Sequence, residues 1–112
     1  MAHRTHPLSA PAADALTALG AQIAAGRRDR RWTAEELAGR AGIATKTLRN
    51  VERGAPISSI GVVFELATLV GVPLYSPTNE GVRDARSRAT ERLALLPQRV
   101  KAKATEVVDD DF

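Results

Sequence analysis

Two short helical patterns separated by one glycine, Gly42, constrain the fold of this chain more than any other feature. The first begins at Thr33-Ala34-Glu35-Glu36, a capping box whose two end residues each bond the other's backbone N–H. Gly42 is typical of the left-handed residue that follows a helix. The second pattern runs from about Ala44 to Glu52 and turns Leu48 and Val51 inward. The sequence therefore predicts a helix, a tight turn and a second helix.

Three further helical patterns surround this unit, at about Asp14 to Arg28, Ser59 to Val70 and residues 82–96. Their predicted inward positions are Leu16, Leu19 and Ile23 in the first, Ile60, Val63, Phe64, Ala67 and Val70 in the second, and Val82, Ala85, Ala89, Leu93 and Leu96 in the third. With only one Trp, one Tyr and two Phe, the core has to come from aliphatic side chains, which suits packed helices. We therefore expect an all-α fold: a compact four- to five-helix domain, an additional C-terminal helix and a disordered tail.

The predicted domain boundaries lie where the helical period stops. Residues 1–13 are expected to form a disordered leader and 14–72 the helical domain. A linker and the C-terminal helix follow over 73–97, and then a flexible basic-then-acidic tail over 98–112. The apolar stripe within 82–96 has two interpretations. Packing back onto the domain is the default, and pairing with its twin across a dimer axis is the alternative.

Composition excludes several classes of protein. The chain has no cysteine, so neither a disulfide nor a Cys-based zinc site is available. No apolar run approaches the ~20 residues that span a bilayer, and the N-terminal residues lack the apolar segment of a secretory signal. His3 and His6 have no third ligand beside them. We therefore expect a cytoplasmic protein that makes no membrane contact, is not an enzyme and holds neither metal nor cofactor.

The outward side of the second helix favours a nucleic-acid partner. Its residues Thr45, Lys46, Arg49, Asn50 and Arg53, here called the donor face, all carry hydrogen-bond donors. Such a helix can enter the major groove, ~12 Å wide, where Asn pairs with adenine and Lys or Arg with guanine. We predict base contacts from Thr45, Lys46, Arg49 and Asn50, and phosphate contacts from Thr47 and Arg53. The alternative is an ordinary solvated helix face.

The spaced residues of the N-terminal half resemble the phage-repressor-like XRE helix-turn-helix family. The resemblance rests on Leu19-Gly20-Ala21-Gln22-Ile23, Arg27, residues 32–38, Ala41-Gly42-Ile43, residues 47–54 and residues 66–72. It implies a four- to five-helix bundle that binds a double-stranded DNA operator as a homodimer at the nucleoid. By position, it implies base contacts from Thr45, Lys46 and Asn50, with Arg49 adjacent. It also implies a partly buried ion pair between Arg27 and Glu52, for which direct DNA contact is the alternative.

Within that family the chain more closely resembles HipB-like antitoxins, which are encoded beside a HipA-like serine/threonine kinase toxin. This resemblance rests on residues 48–56, 60–65, 71–74 and the tail from Leu95. It implies a repressor of its own operon that also holds the kinase inactive. The last four residues are then a candidate partner-binding segment, for which a solubilising end is the alternative: Asp109, Asp110, Asp111 and Phe112.

Two departures from the family pattern leave other functions open. Family members usually have Gln at the position of Ala34, where it contacts a phosphate, and often a polar residue at the position of Ala44. Ala34 leaves only the backbone N–H groups of its helix to hold that phosphate, and Thr33 is the better candidate for a side-chain contact to phosphate. Ala34 therefore leaves open a protein-interaction adaptor with weak DNA binding. A stand-alone XRE transcriptional regulator without a toxin is the other alternative.

Overall fold

In the computed structural model, residues 7–56 and 59–102 form five helices. They are α1 (Ala10–Asp29), α2 (Ala34–Ala41), α3 (Thr45–Glu52), α4 (Ile60–Leu69) and α5 (Asn79–Ala94). These described ranges contain no strand beyond a single bridge between Leu74 and Ser76, so the all-α prediction is confirmed. No helix in them is both long and apolar enough to cross a membrane. The acidic segment 109–112 and the two histidines lie outside the described residues.

The first helix begins earlier than the sequence pattern predicted. Its N-cap is Ser9, whose hydroxyl accepts a hydrogen bond from the Ala12 N–H at 3.3 Å. Pro11 lies in the first turn, where its missing N–H has no intrahelical partner to lose. The predicted start at Asp14 is therefore wrong, and residues 10–13 of the predicted leader are helical.

The α2–turn–α3 unit follows local capping chemistry, as predicted. The Thr33 hydroxyl accepts from the Glu36 N–H at 3.0 Å, and the Thr33 N–H donates to the Glu36 carboxylate at 2.7 Å. Gly42 has a φ of 71°, in the left-handed region that a residue without Cβ enters most easily. The next amide, of Ile43, returns to the Ala38 carbonyl at 3.0 Å and closes the turn.

Four side chains, one from each of the first four helices, form the centre of the core. Ile23, Leu37, Leu48 and Leu66 are fully shielded from solvent. Each buried side chain of this size stabilises the fold by roughly 1.5–3 kcal/mol relative to an exposed one. Leu48 and Val51, the inward positions predicted for α3, are both buried, so this part of the core prediction is confirmed.

The inward face of α4 is as predicted at Val63, Ala67 and Val70 and differs from the prediction at Ile60 and Leu66. Ile60, predicted to be inward, is 71% exposed, whereas Leu66 is fully buried. Val63 and Ala67 are buried on the same side as Leu66, and Val70 just beyond the helix completes the face. The apolar run over α4 is almost continuous, so its periodicity alone does not select one side.

The last helix does not pack into the core, and the default interpretation of its stripe is therefore wrong. Its N-cap is Thr78, which accepts from the Gly81 N–H at 2.9 Å. No residue of α5 is buried, and Leu93 remains 70% exposed. Val82, near the first turn, lines a groove of about 420 Å³ together with Phe64 of α4. The rest of the apolar stripe is without a covering element within the described ranges.

Helices α1 and α3 approach each other closely at Gly20. A Cβ at this position would lie 2.4 Å from the Val51 carbonyl oxygen and 2.7 Å from that of Glu52. No side chain can move aside to make room, because both neighbouring atoms belong to the backbone. The absence of a side chain at Gly20 therefore sets the distance between the first helix and the third.

We predict that Gly20→Ala lowers the free energy of unfolding by about 1–3 kcal/mol, because the two helices must separate. Gly39→Ala is the matched control, since a Cβ at Gly39 meets nothing within 4 Å. It should raise the stability by up to about 1 kcal/mol through helix propensity. Chemical denaturation of both variants checks this. Equal changes in the free energy of unfolding for the two substitutions would contradict the close approach of α1 to α3 at Gly20.

Candidate nucleic-acid interface

The α3 helix is held by one side and exposes the other. Leu48 and Val51 are buried in the core. On the donor face, Lys46, Arg49 and Arg53 are exposed. Thr45 and Asn50 are half-buried on the same helix, as is Thr47. The predicted base-contacting and phosphate-contacting residues of α3 therefore lie at the surface of a helix that the core fixes in orientation.

The one acidic residue of α3, Glu52, is bound to α1. Arg27 Nε donates to Glu52 Oε2 at 2.7 Å, and the second guanidinium arm donates to Oε1 at 3.1 Å. The remaining arm of Arg27 donates to the Trp32 carbonyl at 2.9 Å. The structure thus joins the two residues that the resemblance assigned to an ion pair, and adds a bond to the loop before α2.

This ion pair is well shielded, with each side chain 12% exposed. Hydrogen bonding to Glu52 raises the pKa of Arg27 above its usual value, and this effect outweighs the opposing effect of desolvation. Arg27 therefore stays charged at neutral pH, as arginine does in proteins generally. Because Glu52 is neutralised by Arg27, the donor face keeps its positive charge.

A second ion pair joins the first turn of α2 to the donor face. Arg49 Nη2 lies 3.3 Å from Glu35 Oε2, with the two side chains 60% and 67% exposed. Exposed pairs of this kind contribute about 0–1 kcal/mol, so a stronger acceptor can displace the carboxylate. Arg49 is therefore oriented across the α2–α3 cleft without being fixed there. No local sequence pattern indicates this pair, because Glu35 and Arg49 are 14 residues apart along the chain.

Two residues of the donor face bind each other. Arg53 Nε and Nη2 both donate to Asn50 Oδ1, at 3.3 and 2.9 Å. Residues three apart lie on one side of a helix, so their spacing was a signal for this contact. Arg53 is the C-cap of α3, and its side chain turns back along the helix to reach the amide.

The N-terminus of α2 offers a phosphate fewer free hydrogen-bond donors than the sequence suggested. The hydroxyl oxygen of Thr33 accepts from Glu36, and the Thr33 N–H is occupied by the Glu36 carboxylate. The N–H groups of Ala34 and Glu35 occupy the first two helical positions, which have no intrahelical acceptor. A phosphate near Thr33 would therefore meet these two amides and the rotatable Thr33 hydroxyl proton.

Two contacts that were not predicted from the sequence fix the loop between α1 and α2. The guanidinium of Arg40 lies over the Trp32 ring, 4.2 Å from its centroid. Arg30 donates to the Val70 carbonyl at 2.6 Å and so bonds the end of α4. Neither contact has a local sequence signal, because the two partners of each contact come together only in the folded domain.

We predict that Arg27→Met lowers the free energy of unfolding by about 3 kcal/mol, because it leaves the Glu52 carboxylate shielded and unpaired. Arg49→Met, which breaks the exposed pair, should cost less than about 1 kcal/mol. Adding Glu52→Leu to Arg27→Met should restore part of the loss, measured by urea denaturation. Equal losses in the free energy of unfolding for the two Arg substitutions would show that the shielded pair stabilises the fold no more than the exposed pair.

Comparison with known proteins identifies the family of this domain. A family model described as a helix-turn-helix domain matches residues 18–74, which are 57 of the 112 residues. The match runs from within α1 to beyond the end of α4. No curated protein and no solved structure matches the chain significantly. The chain therefore belongs to the helix-turn-helix domain family as an XRE-like member, and this membership indicates a DNA-binding regulator.

Proposed function

We propose that the protein is a sequence-specific transcriptional repressor that reads a double-stranded DNA operator with the donor face of α3. The observation that carries this proposal is the orientation of α3. Leu48 and Val51 fix one side of the helix in the core, and Glu52, its only acid, is paired with Arg27. The outward side therefore presents donors and positive charge, which match the acceptors of a DNA groove and its phosphates.

The size of α3 suits the proposed reading. An α-helix with its side chains is about 10–12 Å across, which matches the ~12 Å width of the major groove, and α3 has eight residues to place in it. We assign base contacts to Thr45, Lys46, Arg49 and Asn50, which lie from the first turn onward. Phosphate contacts are assigned to Thr33, Thr47 and Arg53, at the margins of the unit.

We further propose that the repressor acts as a homodimer joined through α5. A palindromic operator presents two half-sites about 34 Å apart, which requires two copies of α3. The apolar stripe of α5 is exposed, with Val82 and Leu93 among the large apolar side chains on the surface, and Leu96 just beyond the helix is exposed as well. A second copy of the same helix offers a matching apolar stripe, and pairing would cover both.

The finer proposal is an antitoxin that represses its own operon in the cytoplasm and holds a HipA-like kinase inactive. Its support is the resemblance of residues 48–56, 60–65 and 71–74 to HipB-like antitoxins. In this proposal the partner-binding segment is 109–112, whose acidic residues and aromatic end suit a basic cleft on the kinase. A stand-alone regulator is the second candidate. Co-purification with a kinase encoded beside the gene separates the two.

We predict that Lys46→Ala lowers the ratio of affinities for promoter and scrambled DNA by about ten- to a hundredfold, because a base contact is lost. The probe is the DNA upstream of the protein's own gene, titrated by fluorescence anisotropy at several salt concentrations. Arg88→Ala on α5 is the charge-matched control. It should leave the ratio unchanged. Even if Arg88 contacts a phosphate, the loss of that contact weakens binding to all DNA sequences alike.

Three results would count against the proposed DNA reading. Binding that is independent of salt would exclude phosphate contacts, whose strength falls as salt rises. Equal losses of affinity for the promoter and scrambled DNA on Lys46→Ala would exclude base reading by this residue. Absence of promoter binding by the wild-type chain would favour the adaptor alternative.

We predict that Leu93→Glu converts the dimer to monomer, because a carboxylate would be buried in the paired stripe. Leu95→Glu is the matched control. Leu95 is the C-cap of α5, is 85% exposed and falls about 120° around the helix from the centre of the stripe. Sedimentation equilibrium measures both variants. Dimers of equal strength in the two variants would exclude α5 as the interface.

A further inference from the structure

We propose that Asn50 and Arg53 read DNA as one coupled unit that selects guanine over adenine at the position Asn50 contacts. The inference rests on the proposed DNA-reading function and goes beyond it by naming the base. It also reverses the adenine preference that the residue type alone suggests. The observation behind it is that Asn50 Oδ1 already accepts from Arg53 Nε at 3.3 Å and Nη2 at 2.9 Å.

The chemistry of the two side chains fixes the orientation of the Asn50 amide. A guanidinium carries donors and no acceptor, so only the carbonyl oxygen of an amide can face it. Asn50 Oδ1 therefore points to Arg53, and the Nδ2 amino group faces away from it. In this arrangement the part of Asn50 that remains for DNA consists of two N–H donors.

The two purines differ at the edge these donors would meet. Adenine presents the N7 acceptor beside the N6 amino donor, and an Asn that reads it uses its carbonyl oxygen as well as its amino group. Guanine presents two acceptors, N7 and O6. With Oδ1 occupied by Arg53, the Nδ2 group matches guanine, whereas adenine would place one amino group against another.

Arg53 can maintain this orientation while it binds DNA. Two of its five N–H donors are used on Asn50, and the remaining donors can bind a phosphate oxygen. A bound phosphate would hold Arg53 in place and with it the Asn50 amide. The neighbouring base-contacting residues Lys46 and Arg49 are also donors, so the adjacent positions of the site favour acceptor-rich edges too.

The test is selection of sequences from a random double-stranded DNA library, at low salt, by the wild-type chain and three variants. Asn50→Ala identifies the base position that Asn50 reads, because the preference at that position disappears. Arg53→Met removes the donors to Oδ1, and low salt compensates for its lost phosphate contact. Arg88→Met on α5 is the matched control. Thermal unfolding verifies that every variant is folded.

The wild-type chain and Arg88→Met should enrich guanine at the Asn50 position by at least tenfold over adenine. Arg53→Met should shift that position alone toward adenine. Adenine at this position in the wild-type selection, or guanine retained in full by Arg53→Met, would overturn the coupling while leaving the proposed DNA reading intact. Failure of the wild-type chain to enrich any sequence would instead overturn the DNA reading itself, and the coupling with it.

Discussion

The forked ion pair between Arg27 and Glu52 is the interaction on which the rest of the structure depends. It bonds α1 to the end of α3 through two hydrogen bonds, and the third arm of the guanidinium bonds the loop before α2. It also neutralises the one carboxylate of α3. The same contact therefore helps fix the orientation of the third helix and preserves the positive charge on its outward side.

Close packing of α1 against α3 makes this pair possible. Gly20 lets the backbone of α1 approach the carbonyls of Val51 and Glu52, and Ile23 fills the core one turn further along. Arg27 lies another turn along the same helix and meets Glu52 there. Small, apolar and charged residues at successive turns of α1 thus perform three different tasks against one neighbouring helix.

Sequence reasoning predicted the parts of the fold that depend on local chemistry. The capping box at Thr33 and the left-handed Gly42 involve residues within a few positions of each other, and both were correct. The inward face of α4 was misjudged at Ile60 and Leu66 because nearly every position there is apolar. The packing of α5 was also wrong, since an apolar stripe shows that a helix has a face to cover without showing what covers it.

In the candidate site, too, the features set by local sequence were predictable and the contacts between distant residues were not. Helical periodicity predicts which side chains of α3 point outward, and the exposure of Lys46, Arg49 and Arg53 agrees with it. The contact between Glu35 and Arg49 crosses from one helix to another, and no spacing along the chain encodes it. Asn50 and Arg53 are close in sequence, but only their atomic arrangement shows which end of the amide remains for DNA.

The most direct test of the central claim is an NMR titration of the ¹⁵N-labelled protein with its operator DNA. If the outward side of α3 enters the groove, the amide signals of α3 and the side-chain NH₂ signals of Asn50 should shift most, together with the first turn of α2. Signals from the exposed side of α4 should stay in place. Shifts confined to α5, with those of α3 unchanged, would contradict the account.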